Sequence, residues 1–311
     1  SLNLARFPNP CRHQKAQKQM NTSRAGLQAA SNATFMGSAL LMLLSVSLFT
    51  GSHGFVRGVG KTIHPYEIAF FASVFSFAFY LPWLLRTKFQ PLRTQKFHVH
   101  FIRSFFNAGG LTTWYIAISL VPLADATALA LTSPLFTTIG AVIFLGERAH
   151  LRRWTALGVG ICGALLIVRP GFQSVSYGFL FVLLSIILAS GSRIFAKQLT
   201  KTDKPVTIGA WVALLQIPIT FCLAFYVWRW PDLTQLAMLA AVGFMVGGAH
   251  FTMTMAYNRS EVSALEPFNF IRLIIAALIG FFVFSELPDI WTWAGGAIIV
   301  ASTSYIARRE A

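Results

Sequence analysis

Ten stretches of the chain run apolar on all sides for about one membrane thickness each, and short polar connections separate them. They cover residues 34–55, 66–86, 98–120, 123–145, 151–169, 175–196, 206–228, 233–256, 262–284 and 290–307. A helix that crosses the hydrocarbon core needs roughly 20 largely apolar residues. A helix that is apolar all round suits lipid rather than a water-facing surface. Pro65, Pro91, Pro122, Pro170, Pro205, Pro231 and Pro288 fall at or near connections, where a missing N–H does little harm. The pattern predicts an all-α integral membrane protein of ten transmembrane helices. Residues 1–32 stand outside it as a basic tail expected to be disordered, and 309–311 as a C-terminal tail. The first of these has no apolar core of the kind a secretory signal carries.

Composition agrees: the 311 residues are 55% hydrophobic and 11% charged, with a mean hydropathy of +0.62. Soluble domains carry about 25% charged residues. The net charge of +15 adds orientation rather than a nucleic-acid partner, because the basic residues sit in short clusters between apolar runs instead of on one face. With the N-terminus inside, 18 of the 25 Lys and Arg fall on inside segments and four (Arg57, Lys61, Arg169, Arg229) on outside ones. Arg103, Arg193 and Arg272 lie within spans. Cytoplasmic loops hold the excess of Lys and Arg, so both termini are expected to be cytoplasmic. Cys11, Cys162 and Cys222 are too far apart for a disulfide framework or a metal site, and neither a metal nor a cofactor is expected.

The chain also repeats itself. At an offset of 140, Lys61-Thr62 and Pro65 match Lys201-Thr202 and Pro205, Leu43-Leu44-Ser45 match Leu183-Leu184-Ser185, and Gly51-Ser52 match Gly191-Ser192. At 139, Gly109 matches Gly248, Thr113 matches Thr252, Glu147 matches Glu286 and Trp154 matches Trp293. Five spans per half is an odd number, so the second half enters the membrane from the opposite side. Two inverted five-helix repeats, 33–170 and 171–308, are therefore expected, the arrangement on which many secondary transporters alternate access.

The stretch Pro122 to Phe136, followed by Phe144-Leu-Gly-Glu-Arg148, resembles the EamA half of the drug/metabolite transporter superfamily. Ser263 to Phe270, with Phe284-Ser-Glu-Leu-Pro288 and Trp291-Thr-Trp293, is similar to the second half. The resemblance spans residues 33 to 308. It implies a secondary transporter working by alternating access, with a midplane cavity lined by spans 1, 3, 4, 6, 8 and 9. It also implies a bacterial inner-membrane location and a small polar organic cargo, either an amino acid or a cofactor-like molecule such as S-adenosylmethionine or riboflavin. Proton-coupled export of amino acids or drugs is the alternative within transport. A membrane-embedded enzyme would need polar groups clustered near one interface, and a scaffold an appended soluble domain. Neither feature is present in the sequence, so no enzymatic activity is expected.

The polar residues within spans are where transport chemistry is expected, because buried charge in a membrane is expensive. Arg272 falls midway along the span 262–284 and suits an anionic group. Glu266 lies about a turn inside the same span, ahead of Pro267 and Asn269, and is the candidate for proton coupling. A direct Glu266–Arg272 contact is disfavoured, since six residues separate them by about 9 Å along a helix and about 120° around it. Thr132 and Ser133 precede Pro134 near mid-depth, and Ser133 corresponds to Arg272 at the 139 offset. His250 and Tyr257, with Asn258, share the eighth span, the first two on nearly one face. Asn107 and Trp114 share the third span with Arg103, which is expected to snorkel toward the cytoplasm. The substrate-binding set is thus Arg272, Asn269, Glu266, Thr132, Ser133, His250, Tyr257, Trp114 and Asn107. The expected partners are a small-molecule substrate, protons and the lipid bilayer. Gly109-Gly110 and Gly247-Gly248 are read as close helix approaches.

Overall fold

The structure is a computed structural model that describes residues 36–133, 135–136, 151–169, 176–199, 202–257, 259 and 266–310. The basic tail, the latter part of the fourth span, Asn258 and the start of the ninth span lie outside the described residues. Every regular element among those described is helical: α1 (Met36–Val59), α2 (Pro65–Arg86), α3 (Phe97–Leu120), α4 (Leu123–Ala130), α5 (Leu151–Val168), α6 (Tyr177–Leu199), α7 (Pro205–Ala224), α8 (Leu233–Tyr257), α9 (Ile271–Phe284) and α10 (Ile290–Glu310). Pro65 and Pro205 each open their helix at the first position, where proline's fixed φ is already helical. The last helix runs through Glu310, into the segment read from sequence as a tail.

Five apolar stretches among the described residues are helical and long enough to cross a membrane: Met36–Val59, Pro65–Arg86, Tyr177–Ala196, Val206–Val227 and Leu233–Met253. Gly158–Val168, Phe268–Phe284 and Ile290–Ser302 are shorter apolar helices. α3 has the length, 24 residues, but carries His98, His100, Arg103 and Asn107. The outward faces are fatty: Leu40, Phe105, Leu165, Leu180 and Phe282 are all more than half exposed. Tyr226 and Trp230, also exposed, stand at the end of α7, where aromatic rings suit the headgroup boundary. Buried hydroxyls bond back to their own helix, Ser73 to the Ala69 carbonyl at 2.7 Å and Thr220 to that of Gln216 at 2.7 Å, as apolar surroundings require. This is a multi-pass membrane protein.

The packing repeats where the sequence repeats. α3 lies along α6, α5 along α10, and α2 meets α8 as α3 meets α7. A Cβ built on Gly51 would stand 2.7 Å from Met245 Cε, and one on Gly191 would stand 2.8 Å from Phe106 Cδ1. Both the glycines and their neighbours are repeat-related, 140 and 139 residues apart. Ser45 Oγ donates to the Ala249 carbonyl at 2.8 Å. In the other half Gly110, the counterpart of Ala249, approaches the backbone of Ser185, the counterpart of Ser45, to 3.4 Å from the position its Cβ would take. The same close contacts thus join α1 to α8 and α6 to α3.

Two spans depart from regular α-helix among the described residues. α4 ends at Ala130, and the N–H groups of Leu131 and Thr132 bond the carbonyls three residues back, at 3.1 and 3.0 Å. Because Pro134 has no N–H, the Ala130 carbonyl has no helical donor four residues on. On the ninth span a 3₁₀ turn, Glu266–Phe270, precedes α9. At the 139 offset the turn of 266–270 maps onto 127–131, which is α-helical through Ala130, so the two irregularities meet only where α4 ends and α9 begins.

Candidate functional site

Four helices enclose a polar cavity: Ala72, Ser73, Ser76 and Tyr80 from α2, Arg103, Asn107 and Leu111 from α3, Gly209, Val212, Ala213 and Gln216 from α7, and Val246 and His250 from α8. Its walls are built from repeat partners. Ala72, Ser73 and Ser76 pair with Val212, Ala213 and Gln216 at an offset of 140, and Asn107 and Leu111 pair with Val246 and His250 at 139. The cavity therefore lies on the axis that relates the two halves. Its polarity is not symmetric, because Ser73 faces the role of Ala213, Asn107 that of Val246 and His250 that of Leu111. About 30 Å³ is open, room for the centres of about two waters.

The bonding inside the cavity is donor-rich. Arg103 Nη1 donates to the Ile208 carbonyl at 2.9 Å, while its buried Nε has no hydrogen-bond partner among the described residues. Gln216 Nε2 is likewise buried without one. The Tyr80 hydroxyl donates to the Gly247 carbonyl at 3.3 Å, and Ser192 Oγ lies 3.4 Å from Asn107 Oδ1, which accepts from it. No carboxylate lines the cavity among the described residues. Arg103 thus departs from expectation: instead of snorkelling to the cytoplasm it is held inward by the α7 backbone, which comes close because Gly209 presents no side chain to the Tyr80 ring.

The residues singled out from sequence divide into groups. Asn107 and His250 line the cavity. Trp114 stands nearby against His53 of α1, ring centroids 5.1 Å apart. Phe49, one turn earlier on α1, meets the His250 ring at 4.9 Å, so one face of α1 links the two groups. Arg272 is the second residue of α9, half-buried, with half-buried Asn269 in the turn before it. Thr132 and Ser133 are buried beyond α4: the Thr132 hydroxyl donates to the Leu129 carbonyl at 2.7 Å, and the Ser133 carbonyl accepts from Ser190 at 3.5 Å. Glu266 opens the 3₁₀ turn and Tyr257 closes α8, their side chains lying outside the described set.

Sequence reasoning passed over Tyr80, Gln216 and His53. His53 carries the signal that picked out His250, a lone histidine in an apolar run, and Gln216 is the amide in the otherwise apolar α7. The expected lining by spans 1, 3, 4, 6, 8 and 9 differs from the cavity described, where α2 and α7 supply eight of the thirteen lining residues. Among the described residues no three His, Cys, Asp or Glu converge on a metal position.

Comparison with known proteins adds to this geometry. The EamA-like transporter family matches the chain twice, over residues 36–169 and 176–308. A riboflavin transporter of Rhizobium johnstonii is 32% identical over 78% of this chain and 80% of its own length. An S-adenosylmethionine uptake transporter of Rickettsia bellii is 28% identical over 86% of this chain and 92% of its own. A solved crystal structure, 19% identical, superposes with a TM-score of 0.59 over 91% of this chain and 99% of that one, a likeness of fold alone.

Proposed function

The chain belongs to the EamA-like transporter family, and from that premise we propose that this metabolite transporter takes an uncharged, acceptor-bearing cargo of the riboflavin kind into the cavity on its repeat axis. The family and the named relatives are transporters rather than enzymes. The observation that carries the proposal is the cavity wall itself: a guanidinium and a carboxamide with donors to spare, and no described carboxylate. Carbonyl and hydroxyl oxygens of a neutral ring system accept from such groups. The sulfonium of S-adenosylmethionine instead meets the Arg103 charge at low dielectric, where like charges repel strongly.

The mechanism we assign is alternating access. Ten spans form two inverted halves with both termini in the cytoplasm of a bacterial inner membrane, and the halves rock about the axis. The small cavity supports this reading, since small-molecule sites occupy about 300–1,000 Å³ and the helices must part to admit any metabolite. Arg103, Asn107, Gln216 and His250 contact the cargo. Arg272, with His53 and Trp114, extends the polar path along α1, and Glu266 is the proton-coupling carboxylate.

Purified protein in liposomes, offered labelled riboflavin or labelled S-adenosylmethionine with and without an imposed proton gradient, tests the proposal. Saturable riboflavin uptake that S-adenosylmethionine does not compete away is the expected result. Uptake of the cation with riboflavin excluded overturns the cargo assignment.

A further inference from the structure

We propose that Arg57 and Glu286 form the outer gate of the transport pathway, an ion pair that must break before the cavity opens on that side. This rests on the transport reading above, with the Val59 end of α1 facing out. Arg57 sits near that end and ties three elements together. It donates to the Ile118 carbonyl at 3.1 Å and to the Val121 carbonyl at the end of α3, and it pairs with the Glu286 carboxylate. Its guanidinium also stands 5.3 Å from the centre of the Phe284 ring. Ile118 lies seven residues beyond Leu111, the outermost α3 residue of the cavity, about 10 Å farther along the helix. The pair thus joins the two halves on the outer side of the cavity.

Local structure aims Glu286 at this position. α9 ends with Ser285 in the left-handed region, φ 57°, and the Glu286 N–H folds back onto the Gly280 carbonyl at 2.9 Å, a helix-ending turn that reverses the chain. The carboxylate then points from the second half toward α1 and α3 of the first. The side chains are 14% and 29% exposed, so solvent screens the pair less than an open surface pair. Other charges on this face join the halves as well: Arg169 pairs with Asp289 at 2.5 Å, and Thr292 donates to Asp125 at 2.6 Å. Arg57 differs from these in bridging both α1 and α3 to the opposite half.

The repeat supplies a second, independent reason. At offsets of 140 and 139, Arg57 and Glu286 correspond to Lys197 and Glu147. The same two charges therefore recur in sequence at positions that inversion assigns to the cytoplasmic face. Alternating access needs one latch per face, with only one open at a time.

The test reads accessibility instead of uptake. In a background with Cys11, Cys162 and Cys222 changed to Ala, a Ser76→Cys reporter in the cavity is labelled by a membrane-impermeant maleimide added outside right-side-out vesicles. Arg57→Ala and the milder Glu286→Gln should each raise the labelling rate about tenfold, the population shift that follows loss of a charged hydrogen bond. Arg57→Lys, which keeps a charged donor toward Glu286 and the α3 carbonyls, should leave the rate near that of the parent. Unchanged labelling in Arg57→Ala and Glu286→Gln overturns the gate, and so does an Arg57→Lys variant as open as Arg57→Ala. Because labelling needs no cargo, a working gate in a protein that ignores riboflavin would separate this inference from the cargo assignment.

Discussion

Replacing Arg103 by Met isolates the chemistry of the cavity from its shape. The side chain keeps its reach but loses its charge and all of its donors. In the structure one of those donors is engaged, Nη1 with the Ile208 carbonyl at 2.9 Å, and buried Nε is not. If Nε meets a cargo oxygen, the lost charge-assisted bond is worth about 1.5–3 kcal/mol. At 1.4 kcal/mol per tenfold, KM for riboflavin should rise about 10- to 100-fold, with maximal rate falling less. Stability should move by no more than about 1 kcal/mol, because the Ile208 bond lost is offset by removal of a desolvated charge. Arg103→Lys should fall between the two, retaining charge without the planar fork. Initial-rate uptake in proteoliposomes and thermal unfolding in detergent measure the two quantities separately. A wild-type KM in Arg103→Met would refute the reasoning, and so would a collapse of stability that leaves uptake per folded molecule unchanged.

Gly191→Leu and Gly51→Leu should lower the thermal midpoint to similar extents, each overfilling a repeat-related contact against Phe106 or Met245 at a cost of about 1–3 kcal/mol; a drop confined to one of them counts against equivalent packing. Arg272→Ala should abolish uptake with membrane insertion intact, so near-wild-type transport would remove it from the pathway. Glu266→Gln should make uptake indifferent to a pH gradient, and unaltered coupling in liposomes would exclude this carboxylate as the proton carrier.

Much of the fold is visible in sequence because the membrane imposes a single requirement, an apolar run of fixed length, and the prolines mark where each run stops. The exceptions are instructive. The fourth span reads as one run over 123–145, yet α4 stops at Ala130. Hydropathy reports which residues prefer lipid, whereas the break depends on the N–H that Pro134 lacks. On the ninth span Pro267 lies inside a 3₁₀ turn ahead of α9. α3 shows the converse: it is continuous over 24 residues despite its histidines and Arg103, because neighbouring segments satisfy several of those polar groups. The Nε2 atom of His100, for instance, lies 2.8 Å from the Asp203 carboxylate.

The cavity was less legible, for a reason that the repeat itself supplies. Scanning each span for expensive residues finds Arg272 and His250, but it treats every helix alone. A site on a repeat axis is assembled from cheap residues that matter because their repeat partners line the same cavity: Ser76 with Gln216, Ala72 with Val212, Leu111 with His250. On the proposed function the polar member of each unequal pair sets selectivity, while the shared backbone geometry sets the shape. Arg103 was read as a residue of the cytoplasmic edge because it stands five residues from the start of the expected span at 98. α7 approaches it closely enough for the Ile208 carbonyl to receive its donor, and that inter-helix contact has no trace in the spacing of either segment. Offsetting the sequence by 139 and 140 and asking which polar residues face an apolar counterpart would have brought Asn107 and His250 forward together, with Arg103 opposite Val242 beside them. If the cavity on the repeat axis is the cargo site proposed above, broken symmetry is a better guide to it than hydropathy, because cargo is asymmetric and the scaffold need not be.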